Sequence, residues 1–257
     1  MKKSICAIMA HADDIEYSAG ATLAKYVADG YRALYGVMSR CNSGWTVTEE
    51  KGGHYVPSLE IIPQRRKEAE AAAKVFGAEL YYGDLLESCY VQRDDMHLTI
   101  NFRGWPGPED DVPQGIPLAV AQGTGDWPDS PVIQELADLL VEWEPELIIG
   151  QSFQNKNPDH FCAAMVLHTA YQLAREKVEI GPFWVPVASP DAEDAFPPLT
   201  ANRFVDVTGH EETCLKAAAC HRSQGVHLPR SQERLRGKWA KWGKLQGCAA
   251  AEAFLEM

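Results

Sequence analysis

A short apolar run, Ile5-Cys6-Ala7-Ile8-Met9-Ala10, breaks without transition into His11-Ala12-Asp13-Asp14-Ile15-Glu16. Unbroken apolarity over so few residues fits a strand buried on both faces of a parallel sheet, since a half-exposed strand alternates. A secretory leader would run on into small residues at a cleavage site, whereas this run meets charge. The segment is therefore read as part of the fold. A helical pattern follows, with Ala19, Leu23, Tyr26 and Val27 on one face and a stop near Gly30. Ala33–Met38 reads as a second strand, Arg65–Phe76 as a helix stopped by Gly77, and Leu80–Tyr82 as a third strand. This alternation predicts a Rossmann-like α/β fold, a doubly wound and mostly parallel sheet with helices on both faces.

Past Ser88 the periodicity fails, and Pro and Gly accumulate through Trp105 and Trp127 to Pro131. An irregular segment of that length is expected to be functional or disordered. Regularity returns as a helix over Val132–Trp143 and a buried strand over Leu147–Gly150. Asn157 is placed to cap a further helix, with Pro158 at its first position, running to about Arg175. A Pro-rich stretch, Gly181–Pro198, precedes a strand at Phe204–Val207, after which Thr208 and Glu211 suggest a capping box for a helix reaching Ser223. With no repeat and no clean boundary, residues 1–257 are expected to form one domain carrying an irregular insert at 88–130.

Charge and cysteine narrow the function classes. Twenty-four Lys and Arg against 36 Asp and Glu give a net charge of −12, which disfavours a nucleic-acid partner. The one basic run, Arg230–Lys244, alternates with Trp239 and Trp242 and reads as the solvated face of a late helix. No stretch approaches the roughly 20 apolar residues of a membrane span. The 7 cysteines are scattered without a CxxC pair, so a reduced, cytoplasmic chain is expected. Self-association is left open.

Ligands bind open α/β sheets beyond the carboxyl ends of the strands. Two candidate motifs fall there: His11-Ala12-Asp13-Asp14 after the first strand, and Asn157-Pro158-Asp159-His160 after the strand at Leu147–Gly150. Helix capping accounts for the Asp residues equally well. If the two junctions face one crevice, His11, Asp14 and His160 supply two imidazoles and a carboxylate around a metal, with a position left for water. Zinc suits that set, and ferrous iron or another divalent ion is compatible with it.

The stretch His11–Tyr26 also resembles the opening motif of the LmbE-like, or PIG-L-type, zinc-dependent N-deacetylases, which begin His-Pro-Asp-Asp. Pro158-Asp159-His160 resembles their second metal motif. Further similarity runs through Arg65-Arg66-Lys67-Glu68, Lys216–Gln224 and the terminal Ala251-Glu252-Ala253-Phe254, in the same order over most of the chain. The resemblance implies one zinc per chain on His11, Asp14 and His160, with Asp13 as general base. It implies removal of an acetyl group from an N-acetylglucosamine-type sugar or conjugate. Arg65 and Asp84 become candidate substrate contacts, as does Asn157; Arg40, Asn42 and Ser43 are candidates by position after the second strand. Arg65 and Glu68 are also spaced for a helical ion pair, worth only about 0.2–0.5 kcal/mol. Two departures from the family stand out. Ala12 replaces a usual Pro, and Asn157 replaces a common His, which removes a proton donor of useful pKa. The rival readings are a deacylase of a non-sugar amine and a non-catalytic relative that binds a sugar or metabolite.

Overall fold

The computed structural model describes residues 3–49, 52–87, 130–153, 157–188 and 200–257. The insert expected at 88–130, with Trp105 and Trp127, therefore lies almost wholly outside the described residues.

The opening run forms β1 (Ser4–Met9), buried along its whole length. Its side chains alternate between two cores, as the period of a strand requires. Ile5, Ala7 and Met9 join one cluster, and Cys6, Ile8 and Ala10 join the other. The first cluster is closed by α1 (Asp14–Ser18), α2 (Gly20–Ala28), α3 (Ser58–Phe76), α6 (Glu211–Ala218) and α7 (Pro229–Gln246). The second is closed by α4 (Pro131–Trp143) and α5 (Pro158–Arg175). Helices thus cover both faces, as expected.

The strands are β2 (Arg32–Ser39), β5 (Glu79–Leu85), β6 (Leu147–Ile149), β7 (Phe183–Pro186), β8 (Arg203–Asp206) and β9 (Ala251–Glu256), with β3 (Trp45–Thr48) and β4 (Gly52–Tyr55) forming a separate hairpin. The main sheet runs β5-β2-β1-β6-β7-β9-β8. Pairs from β5 through β7 are parallel, while β9 lies antiparallel to both β7 and β8. The chain builds outward from β1 through β2 to β5, then returns to the other side of β1 at β6. The carboxyl ends of β1 and β6 therefore flank a topological switch point, where a crevice opens.

Several boundaries differ from expectation. Helix α3 starts at Ser58 rather than Arg65, because Pro63 falls in its second turn and forfeits one hydrogen bond without ending the helix. Gly77 does stop it, in the left-handed conformation at φ 74°. The capping box at Thr208 and Glu211 does not form. His210 occupies the N-cap without a side-chain bond, and Thr208 instead donates its N–H to Asp206 and accepts from the Ala250 N–H. That helix ends at Ala218 rather than Ser223.

Candidate active site

Strand β1 delivers His11 to the switch point, and the backbone then turns sharply. Asp13 takes φ 116°, a left-handed conformation costing a residue with a side chain on the order of 1–3 kcal/mol. That turn starts α1 at Asp14 and sends the Asp14 carboxylate back over His11, whose N–H donates to Asp14 Oδ2 at 2.8 Å. From the other side of the crevice, Asn157 caps α5, its Oδ1 accepting the Asp159 N–H at 2.9 Å. The expected cap is therefore present, and it sets Asp159 and His160 in the first turn facing β1.

The structure brings His11, Asp14 and His160 together. His11 Nδ1 lies 3.1 Å from His160 Nε2 and 3.4 Å from Asp14 Oδ2, and His160 Nε2 lies 3.3 Å from Asp14 Oδ1. A tetrahedral ion with bonds of about 2.0–2.1 Å spaces its ligands about 3.3–3.4 Å apart. The three ligand atoms already stand at nearly that separation. The other nitrogen of His11, Nε2, faces Asp159 Oδ2 at 3.3 Å. A carboxylate there holds the N–H on Nε2 and aims the Nδ1 lone pair into the cluster.

The carboxylates crowded around the cluster favour positive charge there, on a proton or on a metal ion that displaces it. Burial alone would lower the pKa of His11, but Glu87 and Asp14 beside it raise it well above the usual histidine value. Burial opposes ionisation of Asp14, yet His160 and His11 hold its carboxyl well below the usual range. Among the described residues, four carboxylates (Asp13, Asp14, Asp159 and Glu87) gather around two imidazoles and one guanidinium, an environment that suits a divalent cation. The residues present fit a metal.

Asp13 stands beside this cluster. Burial pushes its carboxyl up to about 6, with Arg65 drawing it back down and Asp14 adding to the rise. Arg65 reaches in from α3, where it is only 3% exposed. It donates through NH2 to the Ala12 carbonyl at 2.9 Å, lies 3.5 Å from Asp13 Oδ1, and donates through NH1 to Glu87 Oε1 at 3.1 Å. The Arg65–Glu68 helical pair does not form, because Glu68 is taken by the Ser223 N–H and hydroxyl.

The remaining candidates sit further out or deeper in. Asp84 is 84% exposed at the end of β5 and forms a two-pronged pair with Arg40. Asn42 is fully buried, its Oδ1 accepting the Glu87 N–H, and Ser43 is buried next to it. His221 lies beneath the Asp13 turn with Nε2 3.1 Å from Glu16 Oε1, while the Tyr35 hydroxyl donates to both Glu16 oxygens. Gln224 donates to the Trp45 carbonyl and braces the hairpin. Asp159 and Glu87, like His221 and Gln224, have no role assigned from the sequence. Asp159 was visible inside Pro-Asp-His; nothing in the sequence marked Glu87.

The model of the GlcNAc-PI de-N-acetylase family, PIG-L, matches residues 6–171. N,N'-diacetylchitobiose deacetylase from Pyrococcus horikoshii is similar at TM-score 0.64 and 18% identity, over 99% of this chain and 84% of that one. The 4-carboxy-2-hydroxymuconate hydratase GalB from Pseudomonas putida KT2440 is similar at TM-score 0.66 and 19% identity, over 100% and 96%. A teicoplanin deacetylase, Orf2, in its zinc-inhibited form, is similar at TM-score 0.61 and 19% identity, over 99% and 98%. At these identities the likenesses establish a shared fold. Among the described residues, no helix is long and apolar enough to cross a membrane.

Proposed function

The chain belongs to the GlcNAc-PI de-N-acetylase (PIG-L) family, and from that premise we propose that it is a zinc-dependent hydrolase removing the N-acetyl group from an N-acetylglucosamine-type sugar or conjugate. The observation that carries the reading is the arrangement of His11, Asp14 and His160 at metal-ligand spacing, with Asp13 alongside. Those three residues would hold one zinc ion per chain, and ferrous iron suits the same donors. When bound, such an ion supplies a Lewis acid for the amide carbonyl and acidifies water at neutral pH.

The protein's own groups do the rest. Asp13, with a carboxyl near 6, accepts the proton of the attacking water as the C–O bond forms. As the C–N bond breaks, it returns that proton to the departing nitrogen, leaving acetate and a free amine. Arg65 keeps the Asp13 carboxylate in place and is too buried to serve first as a sugar contact. Asn157 holds the first turn of α5, and so His160, at the crevice. Its side-chain amide offers a neutral donor toward the acyl oxygen, where many relatives carry His. Asp84 with Arg40 forms the outer edge available to sugar hydroxyls.

The test is acetate release by the zinc-loaded protein from N-acetylglucosamine, N,N'-diacetylchitobiose and a non-sugar N-acetyl amine. The expected result is release from the sugars. Release only from the non-sugar amide would reassign the substrate. Zinc and sugar binding without release would mark a non-catalytic relative. Because a hydratase shares this fold, 4-carboxy-2-hydroxymuconate belongs in the same panel, with no turnover expected.

A further inference from the structure

Glu87 is buried directly after β5, and its position is fixed by the backbone. Its N–H donates to Asn42 Oδ1 at 2.8 Å, and Asn42 is itself fully buried. A single oxygen, Oε1, then faces two functional groups: Arg65 NH1 at 3.1 Å and His11 Nε2 at 3.7 Å. Both paired side chains are almost wholly shielded from water, so their attraction is little screened. Through Arg65 the chain of contacts continues to the Ala12 carbonyl and to Asp13 Oδ1.

We propose that Glu87 is a positioning residue that couples the metal half of the site to the base half, through His11 on one side and Arg65 on the other. This rests on the assignment of His11 as a metal ligand and Asp13 as the base. Toward the metal, Asp159 accepts the His11 Nε2–H, and Glu87 adds a second negative charge behind the same ring. The ring thereby becomes a better donor through Nδ1. Toward the base, Glu87 shares the Arg65 guanidinium with Asp13. Without it, the buried guanidinium keeps one carboxylate partner and closes on Asp13, drawing that carboxylate away from the water it serves.

The two arms make separable predictions for Glu87→Gln, which keeps shape and removes charge. Measured on the full chain by competition with a chromophoric chelator, zinc affinity should weaken by roughly 10-fold, the lower end of what an outer carboxylate usually contributes. At saturating zinc, kcat for N,N'-diacetylchitobiose should fall about 10-fold with KM unchanged. In an Arg65→Gln background, Glu87→Gln should still weaken zinc but should not lower kcat further. A merely structural role would not give that split. Zinc affinity and kcat both within twofold of wild type would overturn the proposal, as would a kcat loss that persists undiminished in the Arg65→Gln background. A wild-type chain that binds no zinc would instead remove the metal reading and this coupling with it. Should Glu87→Gln fail to fold, Asn42→Ser, which releases the Glu87 N–H, is read in the same assays. Unchanged zinc binding and kcat in that folded variant would overturn the proposal equally.

Discussion

Two groups of buried carboxylates meet at Asp14 and Glu16, two residues apart in sequence, and they are satisfied in opposite ways. Beneath the Asp13 turn, Glu16 is completely buried, yet both oxygens accept from the Tyr35 hydroxyl and one also meets His221 Nε2. Across the same core, Glu252 of β9 accepts the Ala21 and Thr22 N–H groups at the start of α2 and the Trp239 indole N–H. Each of these carboxylates has its donors, one at a helix N-terminus where negative charge is favoured. Above the turn, Asp14, Asp159 and Glu87 surround the His11 ring with one guanidinium between them. In the lower group both carboxylates have donors on both oxygens. Among the described residues the upper group gathers more carboxylates than cations around one imidazole, and that crowding of charge separates a site from a scaffold.

The comparison is broken most severely at His160. His160→Ala should take metal content from about one ion per chain to none while circular dichroism stays native, because a domain this size builds its core without metal. Full occupancy in that variant would remove His160 from the ligand set. Asp13→Asn should keep the metal and lower turnover by roughly 10²–10⁴-fold, the usual span for a lost general base. Retained turnover would place the base elsewhere.

In the lower group the same kind of change should act on stability instead. His221→Phe leaves Glu16 with Tyr35 alone, and breaking a buried pair costs about 3–5 kcal/mol, a fall in Tm on the order of 10 °C. Metal content should be unchanged. The effect also has a pH signature. Burial opposes charge on His221, but Glu16 outweighs it, with Asp13 assisting and Arg65 opposing, so the folded-state pKa is raised above the ordinary 6.5. A raised histidine stabilises fully below its unfolded pKa and loses that contribution as pH rises through the folded value. The stability gap between wild type and His221→Phe should therefore narrow on going from pH 6 to alkaline pH, as followed by urea unfolding. A gap that widened would mean the pair is not ionic. Glu252→Gln should cost less, about 1–3 kcal/mol, since the amide oxygen can still accept on one side while its NH2 turns a donor toward the N–H groups on the other.

Above the turn, the clustering of His11, Asp14 and His160 was legible in the sequence, whereas Glu87 and the lower group were not. His11 and Asp14 follow β1, and His160 opens the helix that follows β6, so all three come after continuous apolar strands, where topology alone predicts a ligand crevice. Glu16, Glu68 and Glu252 carry no such mark, because a carboxylate's burial depends on partners far away in sequence. Arg65 and Glu68 illustrate this: helical spacing pairs them, yet Glu68 turns to Ser223 and Arg65 to Glu87 and Asp13. The same limit applies to strands. β1, β2 and β6 were read from apolar runs, whereas β7 is a four-residue apolar run inside a Pro-rich stretch and the apolar residues of β9 are interrupted by the buried Glu252. Asn157 was read correctly as a cap because Asx capping followed by Pro is local chemistry.

The smallest expected effect is at the rim, where Asp84 meets Arg40 in solvent. An exposed pair contributes about 0–1 kcal/mol, because water screens the attraction and two long side chains lose freedom in forming it. Asp84→Asn should therefore leave Tm nearly unchanged and metal content untouched. None of its hydrogen bonds reaches His11, Asp14 or His160, so kcat at saturating substrate should also hold. KM is where the variant becomes informative. A carboxylate that accepts from a sugar hydroxyl contributes about 1.5–3 kcal/mol when the bond is charged, and its loss raises KM about 10-fold or more. If KM for N,N'-diacetylchitobiose rises while KM for a non-sugar N-acetyl amine does not, Asp84 binds the sugar ring. If both stay level, the pair belongs to the surface alone, and recognition of the sugar rests on groups nearer the metal.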